Sequence, residues 1–301
     1  MDRDIRMPMI DAGATIYALL GSPVGHSLSP VMHNAAFQAL GMNAAYIAYE
    51  VAPDKLADAI EGARALSFGG LNITSPHKEA VIENIDIVSP AAALIRSVNT
   101  VVREGDAWRG YSTDGAGLCR FLQEATGAAA ADPAGRRVLI VGAGGAARAV
   151  AFALAQEGVK SLTVANRTPA RAEELKELIS AHTPFRATRT IPLQEEPLAG
   201  ELERSSLVIY CLAFDHDILH KILSVRREGE GEGLPSGHTL VDLRYAPVET
   251  ETMRQFRLSG GEVFNGKGML LWQGVLAFEL FMAEAGMGAP VEAMRRAIEL
   301  P

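Results

Sequence analysis

A glycine-rich turn between a strand and a helix is the feature that most restricts the fold of this 301-residue chain. Residues 142–147 read Gly-Ala-Gly-Gly-Ala-Ala; they follow the apolar run 138–141 and precede a segment with helical spacing. In this context Gly142 permits a tight turn, Gly144 lets the backbone approach a pyrophosphate, and Ala147 allows close packing of helix on strand. The N–H groups that open the helix can hold the anion. The pattern predicts a Rossmann-type dinucleotide site; a glycine turn made for packing alone is the alternative.

The end of the next predicted strand indicates which dinucleotide is preferred. Enzymes that use NAD usually place Asp or Glu there to bind the ribose hydroxyls, whereas this chain has Asn-Arg-Thr at 166–168 and Arg171 one turn later. A carboxylate would repel a 2′-phosphate, whereas each arginine can form charge-assisted bonds to it worth about 1.5–3 kcal/mol. We therefore predict that NADP is preferred over NAD by roughly tenfold or more. Alternatively, these arginines solvate a helix start and pair with Glu173 or Glu174.

Strand-like and helical runs alternate in two stretches of the chain, which predicts an α/β protein of two domains. The first stretch extends from Ile16 to Gly127, small residues fill 126–135, and the alternation restarts at Arg137. Residues 269–285 have helical spacing, and no strand follows them. The predicted domains are a substrate-binding domain with a mostly parallel mixed sheet, residues 1–125 and 265–301, and a Rossmann-type NADP-binding domain, residues 126–264, with the C-terminal helix returning to the first domain.

Composition argues against several classes of partner. The net charge is -8 and no basic stripe is present, which disfavours nucleic acid. Cys119 and Cys211 are too few for a disulfide framework, and the histidines lack metal-ligand spacing, so we expect no metal. The most apolar segment, 138–156, contains three glycines and an arginine, so we expect a cytoplasmic protein without a membrane span. The Gly- and Glu-rich stretch 226–237 predicts an exposed loop.

Polar side chains recur at the ends of predicted strands in the first half of the chain. Hydroxyls, amides and an amine together suit a small polyol acid. Ligands of an open α/β sheet bind outside the carboxyl ends of its strands, so we expect these groups to converge there if the sheet is parallel. The candidate groups are Ser27, Ser29, Asn72, Thr74, Lys78, Asn99 and Asp114.

Each of these groups also has a purely structural interpretation. Ser29 is followed by proline and could be a helix N-cap. Lys78 could be a solvated lysine at a helix that begins near Glu79, although an ammonium there faces the positive end of the helix dipole. Asp114 could be an N-cap, and Gln273 could be an exposed position of an amphipathic helix.

In combination, the motifs resemble those of the shikimate dehydrogenase family from about Ile16 to Met282. The resemblance implies NADP-dependent, reversible reduction of 3-dehydroshikimate to shikimate in chorismate and aromatic amino-acid biosynthesis. The matching motifs are the serine loop at 21–34, Asn-x-Thr-x-Pro-x-Lys at 72–78, Val-Asn-Thr at 98–100, Thr-Asp-Gly at 113–115, the glycine loop at 142–147, Asn-Arg-Thr at 166–168, Asp-x-x-Tyr-x-Pro at 242–247, and Gly268, Met269, Leu270 and Gln273 in the last helix.

The resemblance also implies a role for each matching residue. Lys78 and Asp114 are the implied catalytic pair, because a ketone that takes hydride at carbon must take a proton at oxygen, which a positioned ammonium can donate. The implied carboxylate-binding residues are Ser27, Ser29 and Thr74, with Tyr245 nearby, and the implied hydroxyl-binding residues are Asn72, Asn99, Asp114 and Gln273. The implied cofactor contacts are Gly142, Ala143, Gly144, Gly145, Ala146, Asn166, Arg167, Thr168, Arg171 and Gly266.

Three segments depart from the family pattern. Residues 210–214 read Tyr-Cys-Leu-Ala-Phe where the family commonly has Asn-Ala-Thr and a glycine-rich loop beside the nicotinamide. Arg96-Ser97 replaces a common Gly-Ala, and Ser112 replaces a common Asn. Two alternatives therefore stay open, an NAD-using quinate/shikimate dehydrogenase and a turnover-deficient regulatory paralogue. The expected partners are small molecules, and the chain is expected to be a monomer or homodimer.

Overall fold

The structure, a computed structural model, describes residues 10–125, 132–212, 218–228 and 233–300. The chain divides into two compact units, the first from Met1–Thr113 and Leu270–Pro301 and the second from Asp114–Met269. The helix that begins at Asp114 belongs to the second unit, where Gly115 lies so close to Ala149 that a side chain at residue 115 would collide with the Ala149 carbonyl. The domain boundaries drawn from the sequence stay a prediction, and the linker residues 126–131 lie outside the described ranges.

Twelve strands and eleven α-helices are formed by the described residues. The strands are β1 Thr15–Gly21, β2 Ala44–Glu50, β3 Gly70–Ile73, β4 Ile87–Val88, β5 Thr100–Glu104, β6 Ala107–Tyr111, β7 Arg137–Val141, β8 Ser161–Asn166, β9 Thr188–Pro192, β10 Leu207–Tyr210, β11 Thr239–Asp242 and β12 Glu262–Phe264. The helices are α1 Ser29–Ala39, α2 Leu56–Ala65, α3 Pro90–Ile95, α4 Asp114–Ala125, α5 Gly145–Gln156, α6 Pro169–His182, α7 Glu195–Arg204, α8 Ile218–Glu228, α9 Glu251–Leu258, α10 Lys267–Phe281 and α11 Val291–Ala297.

The first unit contains a mixed six-stranded sheet with the order β2-β1-β3-β5-β6-β4. Strand β1 is parallel to both β2 and β3, and β4 is parallel to β6. Strand β5 is antiparallel to β3 and to β6. The predicted mixed sheet is confirmed, and its antiparallel hairpin places the start of β5 beside the end of β3.

Helices cover both faces of this sheet, which explains why β1 is a continuous apolar run. On one face Tyr17 packs against Phe37 of α1, and Phe37 packs against Phe278 of α10, with ring centroids 5.2 and 5.6 Å apart. On the other face Ile60 of α2 and Ala92 of α3 join a second apolar cluster. The prediction that a C-terminal helix returns to the first domain is confirmed, because α10 supplies core residues there.

The second unit contains a six-stranded sheet with the order β12-β11-β10-β7-β8-β9, in which every neighbouring pair is parallel. Counted within the unit, this is the doubly wound order 3-2-1-4-5-6 of dinucleotide-binding folds. The predicted Rossmann-type architecture is confirmed. Strand order reverses between β7 and β10, so the loops that follow these strands flank the crevice where such sheets bind ligands.

Two local predictions need correction. The helix expected near Glu79 is a 3₁₀ helix, Ala80–Asn84, because Ile85 is already in an extended conformation. The loop expected at 226–237 begins later, because α8 continues to Glu228 on an amphipathic pattern that buries Leu219 and Leu223. Residues 229–232 of that loop lie outside the described ranges.

Candidate active site

A buried amide network joins strand ends of the first sheet. Asn72 lies opposite Thr100 in the antiparallel register of β3 and β5. The Asn72 Nδ2 donates to the Asn99 carbonyl and to Thr100 Oγ1, each at 3.1 Å. The Asn99 Nδ2 donates to Thr113 Oγ1 at 2.8 Å and to Gln273 Oε1 at 3.2 Å. The structure therefore brings Asn72, Asn99 and Gln273 together, through an antiparallel pair rather than the parallel one on which the predicted convergence depended.

The serine loop lies against the turn that carries Thr74. The Ser22 N–H donates to the Ser75 carbonyl at 3.0 Å. A side chain at Gly21 would collide with the Thr74 side chain, so the two segments approach as closely as they do because residue 21 is glycine. Consequently Thr74 and the serine loop belong to one continuous surface of the first unit.

Ser27 and Ser29 are neighbours within this loop, since the Ser29 N–H donates to Ser27 Oγ at 3.2 Å. Helix α1 begins at Ser29, and its N-cap residue is Leu28, whose side chain makes no capping hydrogen bond. The interpretation of Ser29 as an N-cap is therefore wrong, because the helix starts one residue earlier than the Ser-Pro pattern suggests.

His77 anchors the turn that holds Lys78. Its side chain is buried, and Nε2 lies 2.7 Å from the carbonyl oxygen of Val51. A carbonyl oxygen can only accept, so Nε2 carries the proton. The Val98 N–H donates to the Lys78 carbonyl at 2.9 Å, which fixes the same turn from the other side. Lys78 itself is half-buried.

The glycine loop of the second unit has the features required to bind a pyrophosphate. Gly142 has φ +116° and donates its N–H to the Ala165 carbonyl at 2.8 Å. Helix α5 then begins at Gly145 behind the N-cap Gly144, and no side-chain cap is present among the described residues. The N–H groups of the first helical turn are thus available to an anion.

Two exposed arginines follow strand β8. Within the described ranges, neither Arg167 nor Arg171 forms an ion pair. The carboxylates considered as their partners are engaged elsewhere: Glu173 pairs with a lysine of its own helix at 2.9 Å, and Glu174 pairs with Arg148 at 3.2 Å. The interpretation of the arginines as partners of these glutamates is wrong. Both guanidinium groups are therefore exposed, and neither glutamate neutralises them.

The other predicted residues of the second unit occupy defined positions. Asn166 is buried, and its Nδ2 donates to the Thr168 carbonyl at 2.9 Å, which shapes the turn after β8. Asp114 is buried as the first residue of α4. Gly266 donates its N–H at 2.8 Å to the carbonyl of Arg244, and Tyr245 is half-buried. Asp114 and Tyr245 thus belong to a different unit from Lys78 and the amide network.

A buried ion pair beside Tyr210 was not foreseen from the sequence. Asp242 is fully buried and accepts from Arg244 Nη2 at 2.6 Å and from Thr250 Oγ1 at 2.9 Å. The Arg244 guanidinium lies 4.6 Å from the centroid of the Tyr210 ring, a cation–π distance. Tyr210, which stands where the family commonly has Asn, therefore holds the chain segment that follows β11.

Cys211 lies directly beside the glycine loop. A side chain at Gly142 would contact Leu212 Cδ2 at 3.2 Å and Cys211 Cβ at 3.4 Å. Burial, with a smaller contribution from the carboxylates of Asp242 and Asp114, raises the pKa of the Cys211 thiol. The thiol is therefore protonated at neutral pH and is not a nucleophile. Residues 213 and 214 of the unusual segment lie outside the described ranges.

Sequence reasoning also missed Tyr46, which lies in none of the motifs. Its hydroxyl donates to Asn72 Oδ1 at 2.7 Å. No local signal marks this contact, because it depends on the lateral order of the strands.

The amino-acid sequence matches the profiles of two family domains. Residues 19–101 match the shikimate dehydrogenase substrate binding domain, and residues 125–245 match the shikimate / quinate 5-dehydrogenase domain. A protein named shikimate dehydrogenase (NADP(+)) from Moorella thermoacetica is 45% identical to this chain, and the match covers 97% of this chain and 95% of that relative. A second protein of the same name, from Methanopyrus kandleri, is 40% identical to this chain, and the match covers 96% of each. The crystal structure of shikimate 5-dehydrogenase from Thermus thermophilus in complex with NADP(H) and shikimate is 32% identical, with a TM-score of 0.78 over 95% of this chain and 98% of that one. This chain belongs to the shikimate dehydrogenase family.

Proposed function

We propose that this chain catalyses the NADP-dependent, reversible reduction of 3-dehydroshikimate to shikimate. The observation that carries the proposal is the network that joins the buried amides of Asn72 and Asn99 to the half-buried amide of Gln273, in the unit that also holds Lys78. Buried amides in a fixed arrangement bind ligand hydroxyls selectively, since a ligand that lacks the hydroxyl leaves them unpaired. The names of the similar proteins support the choice of substrate.

The substrate carboxylate is assigned to Ser27, Ser29 and Thr74. Ser27 and Ser29 are adjacent, and the turn of Thr74 is bonded to the same loop. Hydroxyl groups donate to a carboxylate without placing a cation next to the reacting carbonyl. Tyr245, from the second unit, is assigned to the same carboxylate on the family motif that contains it.

Lys78 is assigned as the general acid. The carbonyl carbon gains a hydride, and its oxygen must gain a proton to give the alcohol, which the Lys78 ammonium donates from Nζ. In the oxidative direction the neutral amine takes that proton back. Asp114 is assigned as the second catalytic residue on the family motif that contains it, with the role of accepting a hydrogen bond from a ring hydroxyl of the substrate. The anchored turn at His77 limits the freedom of Lys78, which reduces the entropy that positioning costs.

The second unit fits NADP. The uncapped start of α5 supplies an anion site, and the positive φ of Gly142 allows the backbone to approach the pyrophosphate closely. The two exposed arginines after β8 supply positive charge for a 2′-phosphate. When bound, NADPH supplies the hydride. Asn166 shapes the turn that presents Thr168 and the arginines, and Gly266 is assigned to the same cofactor on the family motif.

The testing experiment measures initial rates by nicotinamide absorbance for shikimate and quinate, each with NADP⁺ and with NAD⁺. We expect the highest kcat/KM for shikimate with NADP⁺. Quinate with NAD⁺ as the best pair would identify the alternative dehydrogenase, and shikimate binding without turnover would identify the regulatory paralogue.

The catalytic assignment predicts that Lys78→Ala lowers kcat by about 10²- to 10⁴-fold, the usual contribution of a positioned acid. The matched control is Lys55→Ala, which removes a lysine of the same unit that pairs with Asp58 at 3.1 Å on the surface. Its rates should equal those of the parent. Equal rates for Lys78→Ala and the parent would refute the assigned role.

We further propose that the protein acts in the cytoplasm, as a monomer or homodimer, on small molecules alone. The net charge of -8 supports the lack of a nucleic-acid partner. Among the described residues, no helix has both the length and the apolar character needed to cross a bilayer. Size-exclusion chromatography with light scattering would measure the oligomeric state.

A further inference from the structure

The side chain of Tyr46 crosses the central strand of the first sheet. In the register, Tyr46 on β2 lies opposite Tyr17, and Asn72 on β3 lies opposite Leu19, so both side chains are on the same face of the sheet. Strands β2 and β3 flank β1 and are about 10 Å apart, two strand spacings. Only a long side chain with a polar tip can span this gap, and the Tyr46 hydroxyl reaches Asn72 Oδ1 at 2.7 Å.

The partners of the Asn72 amide define its orientation. The Asn99 carbonyl is an acceptor only, so the amide atom 3.1 Å away must be nitrogen. The other end is then the oxygen, and Tyr46 must donate to it. If the amide were flipped, its oxygen would face the Asn99 carbonyl oxygen in a buried site. The hydrogen-bond partners therefore determine which end of the Asn72 amide is nitrogen.

In this orientation the Asn72 side chain can form one more hydrogen bond, and only as an acceptor. Both hydrogens of Nδ2 are engaged, one by the Asn99 carbonyl and one by Thr100 Oγ1. Oδ1 has two lone pairs, of which Tyr46 occupies one. A ligand can therefore bind Asn72 only as a donor, which a ring hydroxyl is and a ring carbonyl is not.

We infer that Tyr46 is a positioning residue that makes Asn72 an obligate acceptor for a substrate hydroxyl. The inference rests on the proposed function, since it concerns how that site selects its ligand. Behind Tyr46, the His33 ring stacks on it with centroids 4.4 Å apart and planes inclined by 6°. The Asn34 side chain also bonds the Tyr46 backbone twice, at 2.8 and 2.9 Å. The tyrosine is thus held at its ring and at its backbone.

The test compares kcat and KM in the full-length parent, Tyr46→Phe, Asn72→Ala and the double variant. Tyr46→Phe should raise KM for shikimate about tenfold, the effect of one hydrogen bond, and leave KM for NADP⁺ unchanged. In the Asn72→Ala background, Tyr46→Phe should have no further effect, because the tyrosine acts through the amide. A merely structural role would give the same increment in both backgrounds.

The matched control is Tyr111→Phe, which removes another tyrosine hydroxyl of the same sheet, one donated to Glu104 Oε1 at 2.7 Å. Its KM for shikimate should equal that of the parent. Thr100→Val removes the acceptor of the second Asn72 Nδ2 hydrogen bond and so tests the orientation of the same amide. This variant replaces Tyr46→Phe as the test if Tyr46→Phe does not fold. It should raise KM for shikimate by a similar factor.

Two kinds of failure are distinguishable. An unchanged KM for shikimate in folded Tyr46→Phe, or in Thr100→Val, overturns the inference and leaves the proposed function standing. Additive effects in the double variant do the same. A parent enzyme that does not turn over shikimate at all overturns the proposed function and this inference with it.

Discussion

Acid should destabilise the first unit through one histidine. His33 is fully buried, stacks on Tyr46 and lies 6.3 and 6.1 Å from the ring centroids of Phe278 and Phe281. Neither ring nitrogen has a hydrogen-bond partner among the described residues. Burial lowers the pKa of His33 to about 3, from an ordinary value of 6.5. The folded chain therefore keeps this imidazole neutral over a range in which the unfolded chain protonates it.

The sign and size of this effect on the free energy of unfolding follow from proton linkage. Between the two pKa values the unfolded state binds the extra proton, so the free energy of unfolding falls as the pH falls, by about 1.4 kcal/mol per pH unit. At about pH 5, the loss attributable to His33 is about 2 kcal/mol. Above the unfolded pKa, both states are neutral, and the penalty vanishes. Because the ring is fully buried, solvent does not screen this effect.

Urea unfolding at about pH 7.5 and about pH 5 tests the prediction in the parent and in His33→Met, a non-ionisable side chain that adapts to irregular space. The parent should lose about 2 kcal/mol more than the variant between the two conditions. His26→Gln, which replaces an exposed histidine of the same unit and keeps His33, is the matched control and should follow the parent. An equal loss in the parent and in His33→Met would refute the reasoning.

Three further predictions concern the second unit. Replacing Arg167 and Arg171 by alanine should reduce the preference for NADP⁺ over NAD⁺ by roughly tenfold or more, with KM for NAD⁺ little changed; an unchanged preference contradicts the assigned phosphate site. Gly142→Ala should lower the melting temperature, because a φ of +116° and a contact at 3.2 Å both disfavour a methyl group, at a cost of about 1–3 kcal/mol. Gly144→Ala, which meets nothing within 4 Å, should keep the melting temperature and raise KM for NADP⁺; equal melting temperatures for the two variants would contradict the strain argument. Burial, with a smaller contribution from a nearby glutamate, raises the pKa of Cys119 to about 12, so its thiol should react with a disulfide reagent only after the protein unfolds. The reaction is measured in a variant whose other cysteine is replaced by serine, and rapid reaction of the native protein would contradict the prediction.

The fold was predictable where local chemistry determines it. A strand, a glycine turn, a helix and a second strand in succession specify a βαβ unit at residues 137–166, and the alternation that follows leads to a parallel sheet. The sequence analysis did not identify β5 as the antiparallel strand of the mixed sheet, although a signal exists. Gly105 and Asp106 form a two-residue connection between β5 and β6, with Gly105 at φ +61°, which is typical of a hairpin.

The site was predictable only as a set of motifs. The polar residues Asn72, Asn99 and Gln273 could be named from the sequence, but the network among them requires the pairing of β3 with β5. Tyr46 could not be found, because its bond to Asn72 spans a third strand and depends on a register that no local pattern encodes. The cation–π contact between Arg244 and Tyr210 likewise depends on the pairing of β10 with β11.

The most direct measurement of the central claim is product analysis. Purified protein is supplied with 3-dehydroshikimate and NADPH, and shikimate is quantified by chromatography while NADPH consumption is followed. The proposed reaction predicts one shikimate formed for each NADPH oxidised, and almost no product with Lys78→Ala. Loss of NADPH without shikimate, or an inert parent enzyme, would contradict it.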